Sequence, residues 1–267
     1  MNAKKLISFY TYALFIILMF FALLSAYPIF LIAHLWSKKP RIYFQKIVQQ
    51  YFKLFYKMMP LMGKITVHNR ENINAFHPCI YVSSHQSSID YTLLATLIDD
   101  YVTPSNHFIS DYFLFMKIPR DALGVYYIPK GDLTEVESGY KKFSEALKLK
   151  SSVIIFPEGT RNPSPTLKKF KGGAFRLAIE EGVPIVPIII NGTGSIVSKG
   201  SNITKTLEKK EVDITFLNPI YPQEDEKFLT FGNRVKSVMQ EHIGKEPKAS
   251  HPYEQKSPSE LSSPTYQ

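Results

Sequence analysis

Three hydrophobic patterns follow one another along the chain. From Leu6 to Ser37 there are 32 residues without Asp, Glu, Lys or Arg, with Lys4 and Lys5 before them and Lys38, Lys39 and Arg41 after. At ~1.5 Å per residue a straight helix of that length would reach about 48 Å, well beyond the ~30 Å hydrocarbon core of a bilayer. The stretch predicts a membrane segment with a break at Ser25-Ala26-Tyr27-Pro28, where Pro28 removes a backbone donor and disfavours helical geometry at Tyr27. Leu6–Leu24 is long enough to span and Ile29–Trp36 is not. Basic residues at both ends suit two cytoplasmic flanks. The prediction is an N-terminal membrane helix or, favoured here, a re-entrant helical hairpin. A cleaved leader fits poorly, because the apolar stretch is too long and Leu-Leu-Ser-Ala-Tyr-Pro is a weak cleavage site.

Residues 41–59 read differently. Phe44, Ile47, Val48, Tyr51, Phe52 and Phe55 recur at helical spacing, with Lys46, Gln49, Gln50, Lys53 and Lys57 between them. This is a basic amphipathic helix, either packed on a domain or lying on an anionic lipid surface. From Lys64 onward short β-rich runs take over at Ile65–His68, Cys79–Ser83, Val125–Ile128, Val153–Phe156, Ile185–Ile190 and Val212–Leu217. Helical stretches at Tyr91–Ile98, Leu133–Leu149, Ala174–Glu181 and Phe228–Ile243 alternate with them. Such alternation predicts an α/β fold, a sheet flanked by helices. Residues 1–60 are assigned as membrane-associated (apolar 6–37, amphipathic 41–59), 61–244 as the α/β domain, and the Pro-, Ser- and Lys-rich 245–267 as a disordered tail.

Composition narrows the function. With 45% hydrophobic and 21% charged residues the 267-residue chain is neither disordered nor fibrous. A single cysteine, Cys79, excludes an intrachain disulfide scaffold, and at a strand start it reads as buried packing. The net charge of +9 is uneven: residues 1–70 hold ten Lys or Arg and no acid, so the remainder is close to neutral. That distribution points to a membrane surface rather than to nucleic acid.

Two loops carry candidate chemistry. His85-Gln86-Ser87-Ser88-Ile89-Asp90 directly follows an apolar strand. Five helical residues leave two side chains about 140° apart, so His85 and Asp90 meet only if His85 precedes the helix. Ser87 or Ser88 as N-cap would allow this, and Asp90 would then orient the imidazole as a general base. The alternative is local: a hydrogen-bonded loop histidine and a helix-capping aspartate. The second loop, Phe156-Pro157-Glu158-Gly159-Thr160-Arg161, runs through Lys168, Lys169, Lys171, Gly172 and Gly173 into a helix without another acid before Glu180. Small residues, four cations and a helix start suit a phosphate. A solvated basic loop is the rival reading. Neither usual nucleotide loop, no H-E-x-x-H and no G-x-S-x-G elbow is present.

These residues resemble the 1-acyl-glycerol-3-phosphate (lysophosphatidate) acyltransferases of the glycerolipid acyltransferase superfamily. Four blocks match in order: His85 to Asp90 (H-x-x-x-x-D), Gly124 to Lys130, Phe156 to Arg161 (F-P-E-G-T-R) and Val183 to Pro187. The second block usually ends in Arg; here Lys130 supplies a point charge without the bidentate fork. Ile109-Ser110-Asp111 also lacks the lysine and glutamate common before it. The resemblance implies the glycerolipid acyltransferase fold, a mixed sheet flanked by helices, at residues 61–244. It implies acyl transfer from acyl-CoA or acyl carrier protein to the free hydroxyl of lysophosphatidate, giving phosphatidate. His85 and Asp90 would be catalytic; Lys130, Glu158, Gly159, Thr160, Arg161 and Lys171 would bind phosphate or glycerol. No metal or bound cofactor is implied. The partners are the bilayer, lysophosphatidate and the thioester donor, with the site facing the cytoplasm (the inner membrane, if bacterial). The alternatives are another acceptor (glycerol-3-phosphate, another lysophospholipid or a lyso-ornithine lipid) or an inactive lipid-binding member.

Overall fold

The computed structural model describes residues 3–105, 122–127, 133–162, 164–197 and 208–243. Ile109-Ser110-Asp111, Lys130 and the 245–267 tail lie outside them. The centre is a seven-stranded sheet in the order β1-β7-β6-β2-β5-β3-β4. Its strands are β1 (Met62–His68), β2 (Ile80–Ser83), β3 (Tyr101–Ser105), β4 (Val125–Tyr127), β5 (Ser152–Ile155), β6 (Ile185–Asn191) and β7 (Lys210–Phe216). Strands β6, β2, β5, β3 and β4 run parallel; β7 is antiparallel to β6 and carries β1 parallel to itself. The sheet is mixed, as the resemblance implied.

Strand periodicity sorts the core into two faces. Tyr81, Ile154, Val186, Ile188 and Ile190 point toward one hydrophobic cluster, and Ile80, Val82, Val153, Ile185 and Ile189 toward the other. The first face is covered by α1 (Ala3–Ala33), α2 (Arg41–Met58) and α3 (Asp90–Leu94). The second is covered by α4 (Leu133–Lys148), α5 (Gly173–Glu181) and α7 (Phe228–His242), while the short α6 (Thr193–Ile196) follows β6. Gly182 ends α5 at φ 62°, the left-handed stop that Gly182-Val183-Pro184 predicts.

One strand escaped the sequence pattern. Tyr101–Ser105 contains Pro104, which argues against a sheet interior. The ladder shows why it is tolerated: β3 pairs with β5 only at Tyr101 and Val102, so Pro104 lies where β3 has already left that neighbour.

The N-terminal region corrects one expectation, decides between two others and gives two cations protein partners. First, the predicted break at Pro28 is absent, because α1 runs through it as one helix. The proline forfeits a single backbone bond. Against that loss stands packing along the whole helix, from Ser8 to Ala33, with Ala22 and Ala26 fully buried. Ser25 also turns its hydroxyl back onto the Phe21 carbonyl at 2.8 Å. The reversal comes instead between Ala33 and Arg41, and α2 folds back along α1 with Phe15 on Phe55 and Phe30 on Phe44.

Second, of the two readings of α2 the packed one holds, and its apolar face is not offered to lipid. Phe44, Val48, Phe52 and Phe55 are buried between α1 and the sheet. Two of its polar residues are equally committed: Gln45 donates to the Tyr101 and Leu123 carbonyls (2.8 and 2.7 Å), and Gln49 to the Ile98 carbonyl (3.0 Å). The change of pattern near residue 60 therefore marks a change of element type within one continuous core.

Third, two of the flanking cations are spent inside the protein. Lys39 Nζ reaches Asp100 Oδ2 at 2.6 Å and the Lys150 carbonyl at 2.9 Å. Arg41 donates to Asp100 Oδ1 at 3.1 Å and also to the Ser151 hydroxyl. Burial opposes the charge on Asp100, yet bonds from His77, Lys39 and Ser151 and the nearby Arg41 outweigh it and hold its carboxyl down to about 2. This clasp joins the hairpin turn to the strand starts.

Candidate active site

His85 follows β2 and the Phe156 loop follows β5, and these strands are adjacent and parallel. Both candidate loops therefore emerge at the same edge of the sheet. This is the crevice at the carboxyl ends of parallel strands.

His85 and Asp90 meet as the loop-then-helix reading requires. Nδ1 of His85 is 2.9 Å from Oδ2 of Asp90, and the carboxylate side chain is fully buried. A carboxylate accepts only, so Nδ1 carries the proton and Nε2 presents its lone pair. The same Oδ2 accepts from the backbone N–H of Gln86 (2.6 Å) and of Ser87 (2.8 Å), while the buried Oδ1 has no partner among the described residues. The expected serine cap is not formed. Helix α3 starts at Asp90 without a side-chain cap, and the Ser87 hydroxyl instead donates to the Val197 carbonyl at 2.8 Å. Asp90 itself gathers the turn around its carboxylate.

The second loop is built on Glu158. This residue is buried, and its Oε2 accepts from Asn162 Nδ2 (2.7 Å) and from the Lys168 N–H (3.0 Å). A carboxylate so engaged shapes the loop. Gly159 has φ 63°, and its N–H closes a turn onto the Phe156 carbonyl. A side chain there would be strained, and the end of Lys171 lies over its α-carbon. Lys171 is anchored by its own N–H on the Pro157 carbonyl (2.8 Å). Thr160 and Arg161 are half-buried, and the Arg161 guanidinium is within electrostatic reach of Tyr12 on α1. Thus Glu158, Gly159, Thr160, Arg161 and Lys171 share one loop region beside His85. Val183-Pro184-Ile185-Val186-Pro187 supplies the start of β6, with Pro187 opposite Val82 inside the sheet.

Residues 64–191 match the family model described as acyltransferase. The chain is 37% identical over 165 residues to the chloroplastic 1-acyl-sn-glycerol-3-phosphate acyltransferase BAT2 of Brassica napus, covering 59% of this chain and 45% of that one. It is 30% identical over 151 residues to the 1-acyl-sn-glycerol-3-phosphate acyltransferase of Saccharomyces cerevisiae, covering 55% and 50%. The chain thus spans about half the length of these curated relatives. Its fold is that of the crystal structure of the 1-acyl-sn-glycerophosphate acyltransferase PlsC from Thermotoga maritima, at TM-score 0.73 and 20% identity, covering 92% of this chain and 98% of that one.

Two further residues join the site without having been singled out beforehand. Phe156 stacks on the His85 ring, with centroids 4.2 Å apart and planes at 29°. Asn162 donates its N–H to the His85 carbonyl at 2.6 Å and its side chain to Glu158, so it ties the two loops together. The signal for Phe156 was present, since it opens the F-P-E-G-T-R block; Asn162 lies one residue beyond it. A third constellation has the residue types of a nucleophilic triad, with Ser152 Oγ 2.7 Å from His77 Nδ1 and His77 Nε2 3.7 Å from Asp100. Ser152 is fully buried and also accepts the Cys79 N–H, so this group is structural. Burial likewise pushes the Cys79 thiol up to about 12, which removes it as a nucleophile.

Proposed function

We propose that this protein transfers a fatty acyl group from a thioester, on coenzyme A or acyl carrier protein, to the free hydroxyl of lysophosphatidate, giving phosphatidate. The observation that carries the reading is the 2.9 Å contact between His85 Nδ1 and a fully buried Asp90 carboxylate, beside a loop holding Arg161 and Lys171. In the proposed step, Nε2 of His85 takes the hydroxyl proton as the lipid oxygen attacks the thioester carbonyl. The tetrahedral intermediate then expels the thiolate, which recovers that proton from the imidazolium. Atoms balance without an acyl-enzyme, and the mechanism needs no metal or bound cofactor. Asp90 orients the ring and stabilises its charge; a base so positioned is worth ~10²–10⁴-fold. Arg161 and Lys171, with Lys130 as the sequence-based third cation, hold the phosphate, and Glu158 with Gly159 shapes their loop.

Membrane placement follows from the same arrangement. Helix α1 packs on α2 from Phe15 to Phe30, yet it exposes Phe9, Ile16, Phe20, Phe21, Leu24 and Ile32. A transbilayer α1 would carry α2, with exposed Lys46, Lys53 and Lys57, into hydrocarbon. We therefore place α1 lengthwise in the interface of one leaflet, its apolar face toward lipid. This brings the active-site edge to the bilayer, where acceptor and product reside, and leaves it open to a cytoplasmic thioester. The test is phosphatidate formation, measured by mass spectrometry, with purified protein in vesicles containing lysophosphatidate and either acyl-CoA or acyl carrier protein. Product formed by wild type and lost in His85→Ala supports the reading. Full activity in His85→Ala, or preferential acylation of glycerol-3-phosphate or another lysophospholipid, overturns the base or the acceptor respectively.

A further inference from the structure

Helix α3 has five residues and no side-chain cap, too short to hold its own direction. Its first turn nevertheless carries Asp90, whose Oδ2 gathers three donors while Oδ1 is buried without a described partner. Such a lopsided carboxylate keeps its bonds only while the turn beneath it stays in place. The support comes from outside the α3 segment. Tyr56, buried near the end of α2, places its hydroxyl 3.0 Å from the Ile89 carbonyl and 2.5 Å from Thr92 Oγ1. Thr92 Oγ1 is in turn 3.0 Å from the same carbonyl, closing a three-membered polar cluster around the turn. Burial above all keeps the phenol protonated, so it remains a donor. The neighbouring Phe55 packs edge-on against Phe15 of α1, with centroids 5.4 Å apart. Gln45 and Gln49 grip the domain at other carbonyls, those of Tyr101, Leu123 and Ile98, and do not touch this turn.

We propose that Tyr56 is a positioning residue for the acyl transfer: by holding the Ile89–Thr92 turn it sets the Asp90 carboxylate against His85, which makes the membrane-facing hairpin part of the catalytic apparatus. The inference rests on the His85–Asp90 reading above. Misplacing a catalytic group by about 1 Å costs on the order of 10²-fold. Tyr56→Phe keeps the ring and removes the hydrogen bonds, so kcat should fall about ten-fold while the acceptor KM stays within about two-fold. Thr92→Val cuts the same 2.5 Å contact from the other side and should move kcat in the same direction, which carries the test if Tyr56→Phe does not fold. Because Tyr56 acts through Asp90, Tyr56→Phe should lower kcat no further in an Asp90→Asn background, where a merely structural role would lower it again. Wild-type kcat in Tyr56→Phe and Thr92→Val, a loss confined to KM, or equal losses in both backgrounds would overturn the assignment. His85→Ala run alongside separates the two claims. If it remains active the base reading fails; if it is dead while Tyr56→Phe is unimpaired, the positioning role alone fails.

Discussion

Replacing Asp100 with Asn should loosen the joint between the N-terminal hairpin and the sheet. The substitution preserves shape and removes the charge that Lys39 and Arg41 share, at a side chain only 11% exposed. Its size follows from linkage. A carboxyl held at about 2 instead of its ordinary 3.8 favours the charged form of the folded protein by about 2–3 kcal/mol. The folded-state value is the lower one, so this stabilisation is complete above about pH 4 and disappears as the pH falls toward 2. Leaving two cations partly buried without their partner adds to the loss at neutral pH. Urea unfolding of the detergent-solubilised protein, followed by circular dichroism from pH 7 down to pH 2.5, should show Asp100→Asn less stable by at least about 2–3 kcal/mol at pH 7, with the gap narrowing in acid. Equal midpoints at pH 7, or a gap that widens in acid, would refute the assignment of the clasp as a stabilising charge cluster.

Other expectations concern the site. Asp90→Asn should lower kcat by roughly 10²–10⁴-fold in the phosphatidate assay, since an amide cannot pin the Nδ1–H tautomer. Arg161→Ala should raise the lysophosphatidate KM by at least about ten-fold with a smaller change for the thioester donor, as expected for a charge-assisted phosphate contact; equal changes for both substrates would place Arg161 elsewhere. Gly159→Ala puts a side chain at φ 63° and should cost about 1–2 kcal/mol in unfolding experiments and disturb the loop. Glu158→Ala strips the acceptor from Asn162 and the Lys168 amide and should destabilise by about 1.5–3 kcal/mol, with activity falling together with loop order in hydrogen exchange.

How far residue patterns reach is visible in particular elements. Periodicity located β2, β5, β6 and β7 and helices α4, α5 and α7 within a residue or two, because each must bury one face and punctuate its ends. The His85-to-Asp90 spacing also contained its own geometry: five residues cannot meet on a helix, so the loop had to precede it. Pro28 misled, and Pro104 would have, for a shared reason. A proline costs one local hydrogen bond, and whether that matters depends on which neighbour is there, which is a property of the sheet edge and of the α1–α2 packing.

Sequence alone thus determined most of the elements, the sheet-and-helix class and the residue types of the two chemical loops, since these follow from short-range sterics and burial. Tertiary structure decided what those residues do. It spent Lys39 and Arg41 on Asp100, turned Glu158 inward onto Asn162, stacked Phe156 on His85 and set Tyr56 under Asp90's turn. All of these are contacts between segments far apart in the chain or across a loop. Their partners are selected by the packing of the whole core, and no local pattern encodes them.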